Sequence, residues 1–290
     1  MSLTIQPAMV SVILPCFIMG RFIAGALASV AAQSYRLWEV IVVDDAGPED
    51  GTSEIVAGFG QRFPENRVEL IRHERNRGVS AARNTAIKNA RGGLLAFLDP
   101  DDGWEGGYLQ ESVDRFDSTP DLSVTATAAR IIEGDSASPT DRLEFFMPWE
   151  IAMFPWVMCV RNGFATSGVM LRRSSLPAGD LFDETPEIQH AEDWDLWLRL
   201  VECGVKFHLE PVPKVLYRKH AGAATARQAA MLQRVRAVIK KHAAMVSEGQ
   251  AIVLGGMAWK IGQLENAALR GQPQPTGLLS RVRRRIRRLF

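Results

Sequence analysis

Leu94-Leu95-Ala96-Phe97-Leu98 is an unbroken apolar run of strand length that ends directly in Asp99-Pro100-Asp101-Asp102. A run apolar at every position suits a strand buried on both faces, the habit of a central strand in a parallel sheet. The three carboxylates then fall just past the strand's carboxyl end, the edge at which open α/β sheets hold ligands. Like charges this close repel, and burying them unpaired is costly. A divalent cation shared with a phosphate relieves that cost. The segment therefore points to metal-dependent chemistry on a phosphorylated or nucleotide-linked substrate. A solvated Asp-rich turn is the alternative for the same residues.

The residues before this run alternate between strand and helix patterns. Strands are expected at Val10 to Leu14, Val40 to Val43, Val68 to Ile71 and Leu94 to Leu98. Helices are expected at Arg21 to Gln33, Thr52 to Phe59 and Ser80 to Ala90, the first with Phe22, Ala26, Leu27 and Val30 on one stripe. This order predicts a parallel, doubly wound sheet. The second half is less regular. Leu122 to Ala129 reads as a strand, Glu133 to Thr140 as a loop, and Trp194 to Val201 as a helix. Phe207 to Leu209 and Val215 to Tyr217 read as short strands around Pro211 and Pro213. From Ala221 to about Gly255 the pattern is helical, and Gly271 to Gly277 reads as a linker.

Composition narrows the class. With 290 residues, 47% hydrophobic and 23% charged, the chain can build one large domain, alone or with a helical appendage. A net charge of +1 argues against a nucleic-acid partner. Cys16, Cys159 and Cys203 form neither a zinc spacing nor a disulfide framework, which fits a reducing cytoplasm. The first residues carry no secretory-signal pattern, and no apolar stretch reaches membrane-spanning length.

Four further segments carry chemistry. Asp44-Asp45 ends the second strand and, if the two strands share one sheet, opens on the same edge as Asp99 to Asp102. One carboxylate could bind a nucleobase N–H while the other caps a turn, or both could cap. Asn76 to Asn84 forms a loop and helix start, with Gly78 for an unusual backbone angle. Arg83 lies about one turn in, where it reaches a nucleotide or pairs an acid. Glu192-Asp193 opens a helix bearing Trp194 and Trp197. These acids suit either a general base or the helix dipole, and the indoles either an acceptor wall or the core. His220 follows a short strand and is either a metal ligand or structural.

Taken in order, these segments resemble the family 2 glycosyltransferases of the GT-A fold. Val10-Ser11-Val12-Ile13-Leu14-Pro15, Val42-Val43-Asp44-Asp45, Asn76-Arg77-Gly78 with Ala81-Ala82-Arg83-Asn84, Phe97 to Asp102 and Glu192 to Trp197 carry the resemblance, which spans roughly residues 9–220. It implies a single, mostly parallel central sheet flanked by helices, over residues 1–220. A C-terminal helical extension at 221–270 and a linker with a basic tail at 271–290 follow. It implies inverting transfer of a sugar from a nucleotide-diphosphate donor, a UDP-sugar most often in this family, to a hydroxyl of a glycan or lipid-linked acceptor in cell-surface polysaccharide synthesis. Pro15, Phe17, Asp44, Arg83 and Asp99 then face the nucleotide, and Asp101 and His220 hold Mn²⁺ or Mg²⁺. Asp193 is the general base, with Glu192, Trp194 and Asp102 at the acceptor or behind these groups. Cys16-Phe17 stands where the family often has Tyr-Asn, and Ala46-Gly47 where Gly-Ser is usual.

Two other classes are weighed beside this one. A nucleotide-sugar or glycan binding module without catalysis would not need Asp193. A nucleotidyltransferase would want a Gly-rich basic loop after the first strand, of which Cys16 to Arg21 is a poor version. Separately, Arg281, Arg283, Arg284, Arg285, Arg287 and Arg288 interleave with Val282, Ile286, Leu289 and Phe290. As a helix this tail is amphipathic and basic, suited to an anionic membrane surface. The expected location is the cytoplasm, at the inner face of the cell membrane.

Overall fold

A computed structural model describes residues 6–136, 138–220 and 228–253. The chain divides into two compact units. The first comprises the residues to Phe146 and Gly163–Val238; the second comprises Met147–Asn162 and the residues from Ile239.

The first unit holds the sheet. β1 (Gln6–Cys16), β2 (Trp38–Asp44), β3 (Val68–Arg72) and β4 (Gly92–Phe97) alternate with helices α1 (Gly20–Ala31), α2 (Thr52–Arg62) and α3 (Val79–Asn89). Then come β5 (Gly103–Trp104), α4 (Tyr108–Ser118), β6 (Leu122–Glu133) and β7 (Leu143–Glu144). β8 (Val169–Arg172), α6 (Glu192–Glu202) and β9 (Lys206–Lys219) complete the site-bearing part. The strands lie in the order β3-β2-β1-β4-β8-β6-β9-β5, with β7 beside β6.

β2 and β4 are buried at every position, as their apolar residues favour, and the two acids of β2, Glu39 and Asp44, pair with Arg67 and Arg72. α1 covers the sheet with Ile23, Ala26, Leu27 and Val30, the spacing of one helical stripe. Gly92 opens β4 because a Cβ there would sit 2.5 Å from the Met9 carbonyl oxygen and 2.6 Å from Ser11 Oγ. The first four strands are parallel. Beyond β4 short antiparallel pairings join the long parallel ladders, so the mostly parallel sheet expected from the sequence carries an antiparallel part. β4–β8, β6–β8, β5–β9 and β6–β7 are antiparallel, so the sheet as a whole is mixed. Only β6–β9 is parallel in that half. The change arises because β8 enters through an irregular segment rather than a crossover helix.

The two short strands expected around Pro211 and Pro213 are one strand, β9. Its register on β6 jumps between Thr127–Glu210 and Ala129–Val215, so the prolines sit in the irregularity where no ladder N–H is needed.

α5 (Pro148–Ile151) lies in the second unit, where Arg161 pairs with buried Glu150 at 2.8 Å. α7 (Gln228–Lys241) and a helix that runs through 243–253 match the helical pattern expected after Ala221. The linker at 271–277 and the basic tail at 280–290 lie outside the described residues. Among the described residues no helix is long and apolar enough to cross a membrane.

Candidate active site

The chain leaves β1 toward β2 on one side, while β4 pairs on the other. The carboxyl ends of β1 and β4 therefore flank the topological switch point of the sheet, where α/β folds open a crevice. Pro15, Phe17 and the acid cluster after Leu98 sit at these ends. Pro15 is buried, and Phe17 is 42% exposed.

The acid cluster is a turn closed by Asp102 N–H donating to the Asp99 carbonyl at 3.1 Å. Asp102 itself is buried. It accepts from Ser167 Oγ at 2.6 Å and from the Arg218 N–H at 2.9 Å. Ser167 Oγ in turn accepts the Asp99 N–H at 3.0 Å. Burial, then the charges of Asp101 and Asp99, push the Asp102 carboxyl well above the ordinary range. Asp102 is thus the strut of the turn.

Asp101 faces His220, with Oδ2 3.0 Å from Nε2. His220 packs against Phe22, ring centroids 5.1 Å apart, and Arg218 Nε donates to the Asp101 carbonyl at 3.2 Å. Residues 119 apart in sequence meet because β9 runs parallel to β6 and ends at the same sheet edge.

Arg83 is buried, not a surface pair. Nη2 donates to Asp99 Oδ1 at 2.7 Å and Nη1 to Glu192 Oε1 at 2.5 Å. Its guanidinium ties α3 to the β4 turn and to the start of α6. Buried Glu192 therefore belongs to this ionic triad, and Trp194 and Trp197 are core residues. The next carboxylate, Asp193, is half-buried and accepts from Thr166 Oγ1 at 3.0 Å and from the Trp194 N–H at 2.7 Å. Burial, then the adjacent Glu192 charge, raise its pKa to about 6, against the lowering pull of Arg83.

The acid pair after β2 divides its labour. Asp45 accepts from the Arg77 and Gly78 N–H groups at 2.9 and 2.7 Å and meets His73 Nδ1 at 2.6 Å. It caps the turn into α3, where Gly78 adopts φ +90° beneath the Gln189 side chain. Asp44 accepts the Gly47 N–H at 2.9 Å and pairs with Arg72 at 2.6 Å. Ile18 (φ 56°) and Ala46 (φ 59°) adopt left-handed angles in the adjoining loops. Such backbone costs about 1–3 kcal/mol per residue and collects at functional sites.

Asp101 and His220 offer one oxygen and one nitrogen donor side by side, a set suited to Mn²⁺ and similar divalent ions. Burial and the Asp99 charge raise the Asp101 carboxyl, a penalty that a cation would remove. Among the described residues no group of three or more His, Cys, Asp or Glu side chains forms a metal cage. A cation here would fill its shell from diphosphate oxygens and water, as divalent ions at nucleotide sites commonly do. The residues present fit that role.

Ser167, Thr166, Arg218 and Arg72 also build this site, and sequence reasoning did not single them out. Arg72 alone had a signal, at the carboxyl end of a third parallel strand. Arg218 follows the expected strand Val215 to Tyr217, beside His220, but nothing local marked its role; Thr166 and Ser167 lie in a segment without a recognisable local pattern.

An open α/β sheet with acids at its switch point places a ligand crevice at that edge. The description "Glycosyl transferase family 2" matches residues 11–178. The chain belongs to this family, and its fold is GT-A. One similar protein is the UDP-Glc:α-D-GlcNAc-diphosphoundecaprenol β-1,3-glucosyltransferase WfgD of Escherichia coli, 33% identical over 36% of this chain and 40% of that one. Another is the putative teichuronic acid biosynthesis glycosyltransferase TuaG of Bacillus subtilis, 37% identical over 37% and 41%. The match thus spans less than half the length of these two relatives. Among solved structures, S. aureus TarS 1-349 in complex with UDP-GlcNAc is similar with TM-score 0.59 and 21% identity, over 75% of this chain and 60% of that one. Mannosyltransferase PcManGT from Pyrobaculum calidifontis, in complex with GDP-Man and Mn²⁺, has TM-score 0.57 and 17% identity over 93% and 82%.

Proposed function

We propose that this chain is an inverting glycosyltransferase that moves a sugar from a nucleotide-diphosphate donor, a UDP-sugar in the first instance, to a hydroxyl of a glycan or lipid-linked acceptor. The observation that carries the reading is the convergence of Asp101–His220, the Asp99–Arg83–Glu192 triad and Asp193 on one sheet edge. UDP-sugar relatives and the UDP-GlcNAc complex of TarS support the donor class.

In this reading Asp44 and Phe17 receive the base, and Asp99 the ribose, held in place by Arg83. Asp101 and His220 would hold a divalent ion, which when bound would offset the negative charge developing on the leaving diphosphate. Asp193 takes the proton of the acceptor hydroxyl as that oxygen attacks the anomeric carbon from the face opposite the leaving group. A pKa near 6 suits a base that is ionised at neutral pH and still strong enough to accept a proton. Arg83 fixes α6 and so fixes where that base stands. The basic tail would hold the enzyme at an anionic inner-membrane face, where a lipid-linked acceptor resides.

The test is a thermal-shift screen of nucleotides and sugar nucleotides with and without Mn²⁺, followed by transfer assays with the donor found. Stabilisation by a nucleoside diphosphate that depends on Mn²⁺, and is lost in Asp101→Ala, is expected. Asp193→Asn should retain that binding and lose transfer by about 10²–10⁴-fold. Normal turnover by folded Asp193→Asn would refute the base assignment. Tight nucleotide binding without release of nucleoside diphosphate to any acceptor would favour a binding module instead.

A further inference from the structure

Two large apolar side chains stand out from the core at the carboxyl end of β1. Phe17 is 42% exposed and Ile18 53%, and among the described residues they are the only exposed large hydrophobics adjacent in sequence. Their neighbours on either side face inward: Cys16 belongs to the core, and Met19 packs against it. The chain makes this excursion through a left-handed angle at Ile18, φ 56°. Isoleucine is poorly suited to that angle, because its branched Cβ crowds the backbone there.

The loop is pinned in this shape from the segment that follows β2. Gly20 N–H donates to Asp50 Oδ2 at 2.7 Å, and a Cβ on Gly20 would collide with the Asp50 carbonyl oxygen. Cys16 Sγ lies 3.7 Å from Thr52 Oγ1. A Cβ on Gly47 would lie 3.2 Å from Ile18 N, 3.7 Å from Ile18 Cγ1 and 3.4 Å from Asp44 Oδ1. Ile18 and the Asp44 carboxylate therefore border the same glycine, and the isoleucine side chain stands beside the acid.

An exposed isoleucine in a strained angle does nothing for the free protein. It buries little apolar surface, and its backbone costs free energy. The arrangement becomes favourable only when an apolar surface covers the side chain, and the neighbours specify that surface. Arg72, its side chain 44% exposed, forks between Asp44 Oδ2 and the Gly47 carbonyl, both at 2.6 Å. Its guanidinium has more N–H groups than these two contacts use, and the Asp44 oxygens have further lone pairs. A flat ring with apolar faces and with N–H and C=O groups on its edge matches this set. A nucleobase is such a ring; an acyl chain lacks the edge, and a phosphate lacks the faces.

We infer that Ile18 is a further donor-binding residue, which with Phe17 forms an apolar platform for the nucleobase beside the Arg72–Asp44 pair. The inference rests on the nucleotide-donor reading above and adds to it a residue held in a strained backbone for the sake of the ligand. A side chain placed for packing stabilises the fold. One placed for a ligand lowers stability until the ligand arrives, as strained residues at binding sites do. The two roles therefore predict opposite signs for the same substitution.

The experiment compares the full chain with Ile18→Asn and Ile18→Gly. Both replacements accept a left-handed angle, and neither supplies an apolar branch. Calorimetry uses UDP, TDP, GDP, CDP and ADP with Mn²⁺, and inorganic pyrophosphate with Mn²⁺ as the probe that lacks a base. Wild type should bind at least one of the nucleoside diphosphates. Both variants should bind that nucleotide about tenfold more weakly, through loss of apolar contact with the base. Their pyrophosphate binding should match wild type. Without ligand, Ile18→Asn should melt at the wild-type temperature or above it, because asparagine relieves the strained angle without loosening the unfolded chain as glycine does. The inference is overturned if Ile18→Asn melts lower than wild type, if the variants bind the nucleotide as tightly as wild type, or if pyrophosphate binding falls in the same proportion. A wild type that binds nucleotide and transfers sugar, beside variants indistinguishable from it, would sink this inference and leave the proposed activity standing. A wild type that binds no nucleoside diphosphate would refute the donor reading, and this inference with it.

Discussion

Arg83 and Asp193 show how single side chains acquire meaning only from their neighbours. A buried arginine between Asp99 and Glu192 is sound only while both acids are ionised and in place. Removing it leaves two carboxylates uncompensated, so Arg83→Met should destabilise the fold by about 3–5 kcal/mol in urea denaturation. Arg83→Lys should recover only part, because an ammonium does not reproduce a forked contact to two acids. As the proposed base, Asp193 would set the acid limb of the pH profile. A base with a pKa of about 6 loses its ionised form below that pH, so transfer should fall as the medium is acidified through about pH 6. Glu192→Gln removes the like charge and should move that limb to lower pH. The stability effect runs the other way. Because the folded pKa is raised above the unfolded value, Asp193 costs stability once pH rises through about 6. Asp193→Asn should therefore melt higher than wild type near neutral pH, and the gap should close below about pH 4, where both states are protonated.

At the scale of elements, the site is held by turns at strand ends, and each turn is pinned by a residue from a distant segment. Ser167 is the clearest case, since its hydroxyl joins the Asp99 N–H to the Asp102 carboxylate. Ser167→Ala should cost about 1–3 kcal/mol, because it leaves both groups buried without that partner. The slackened turn should also weaken the Mn²⁺-dependent part of nucleotide binding, measured by calorimetry, while circular dichroism stays native. The strands and helices that carry these turns were legible in the sequence. β1 to β4 and α1 to α3 stand where apolar runs and helical stripes put them, since local periodicity alone selects them. β8 and the continuous β9 were not, because β8 is short and β9 contains two prolines that only the irregular β6 register accommodates.

For the whole molecule, the proposed place of work rests on residues 280–290, whose six arginines alternate with apolar positions. Deleting Ser280 to Phe290 should reduce sedimentation with anionic vesicles, and added salt should have the same effect on wild type. Equal sedimentation of the full-length and shortened proteins would remove the membrane proposal and leave the chemistry untouched. The sheet, for its part, unites parallel and antiparallel halves, and the halves divide the proposed work. The parallel half supplies the nucleotide edge at Pro15, Asp44 and Asp99, whereas β9 and α6 from the second half bring His220 and Asp193 to it.

The sequence by itself determined the parallel half of the sheet and the acids at its edge, because parallel strands and their following acids are adjacent along the chain and their pattern is local. It also marked Asp101 by its place past a buried strand and Asp193 by its place at a helix start, whereas His220 gained weight only through family resemblance. Only the tertiary structure decided that Asp102 is a strut, that Asp45 is a cap, and that Arg83 and Glu192 neutralise each other in the interior. Those roles depend on which buried partner each charge meets, and partners 28 to 119 residues apart in sequence are brought together by strand order, which no local pattern encodes.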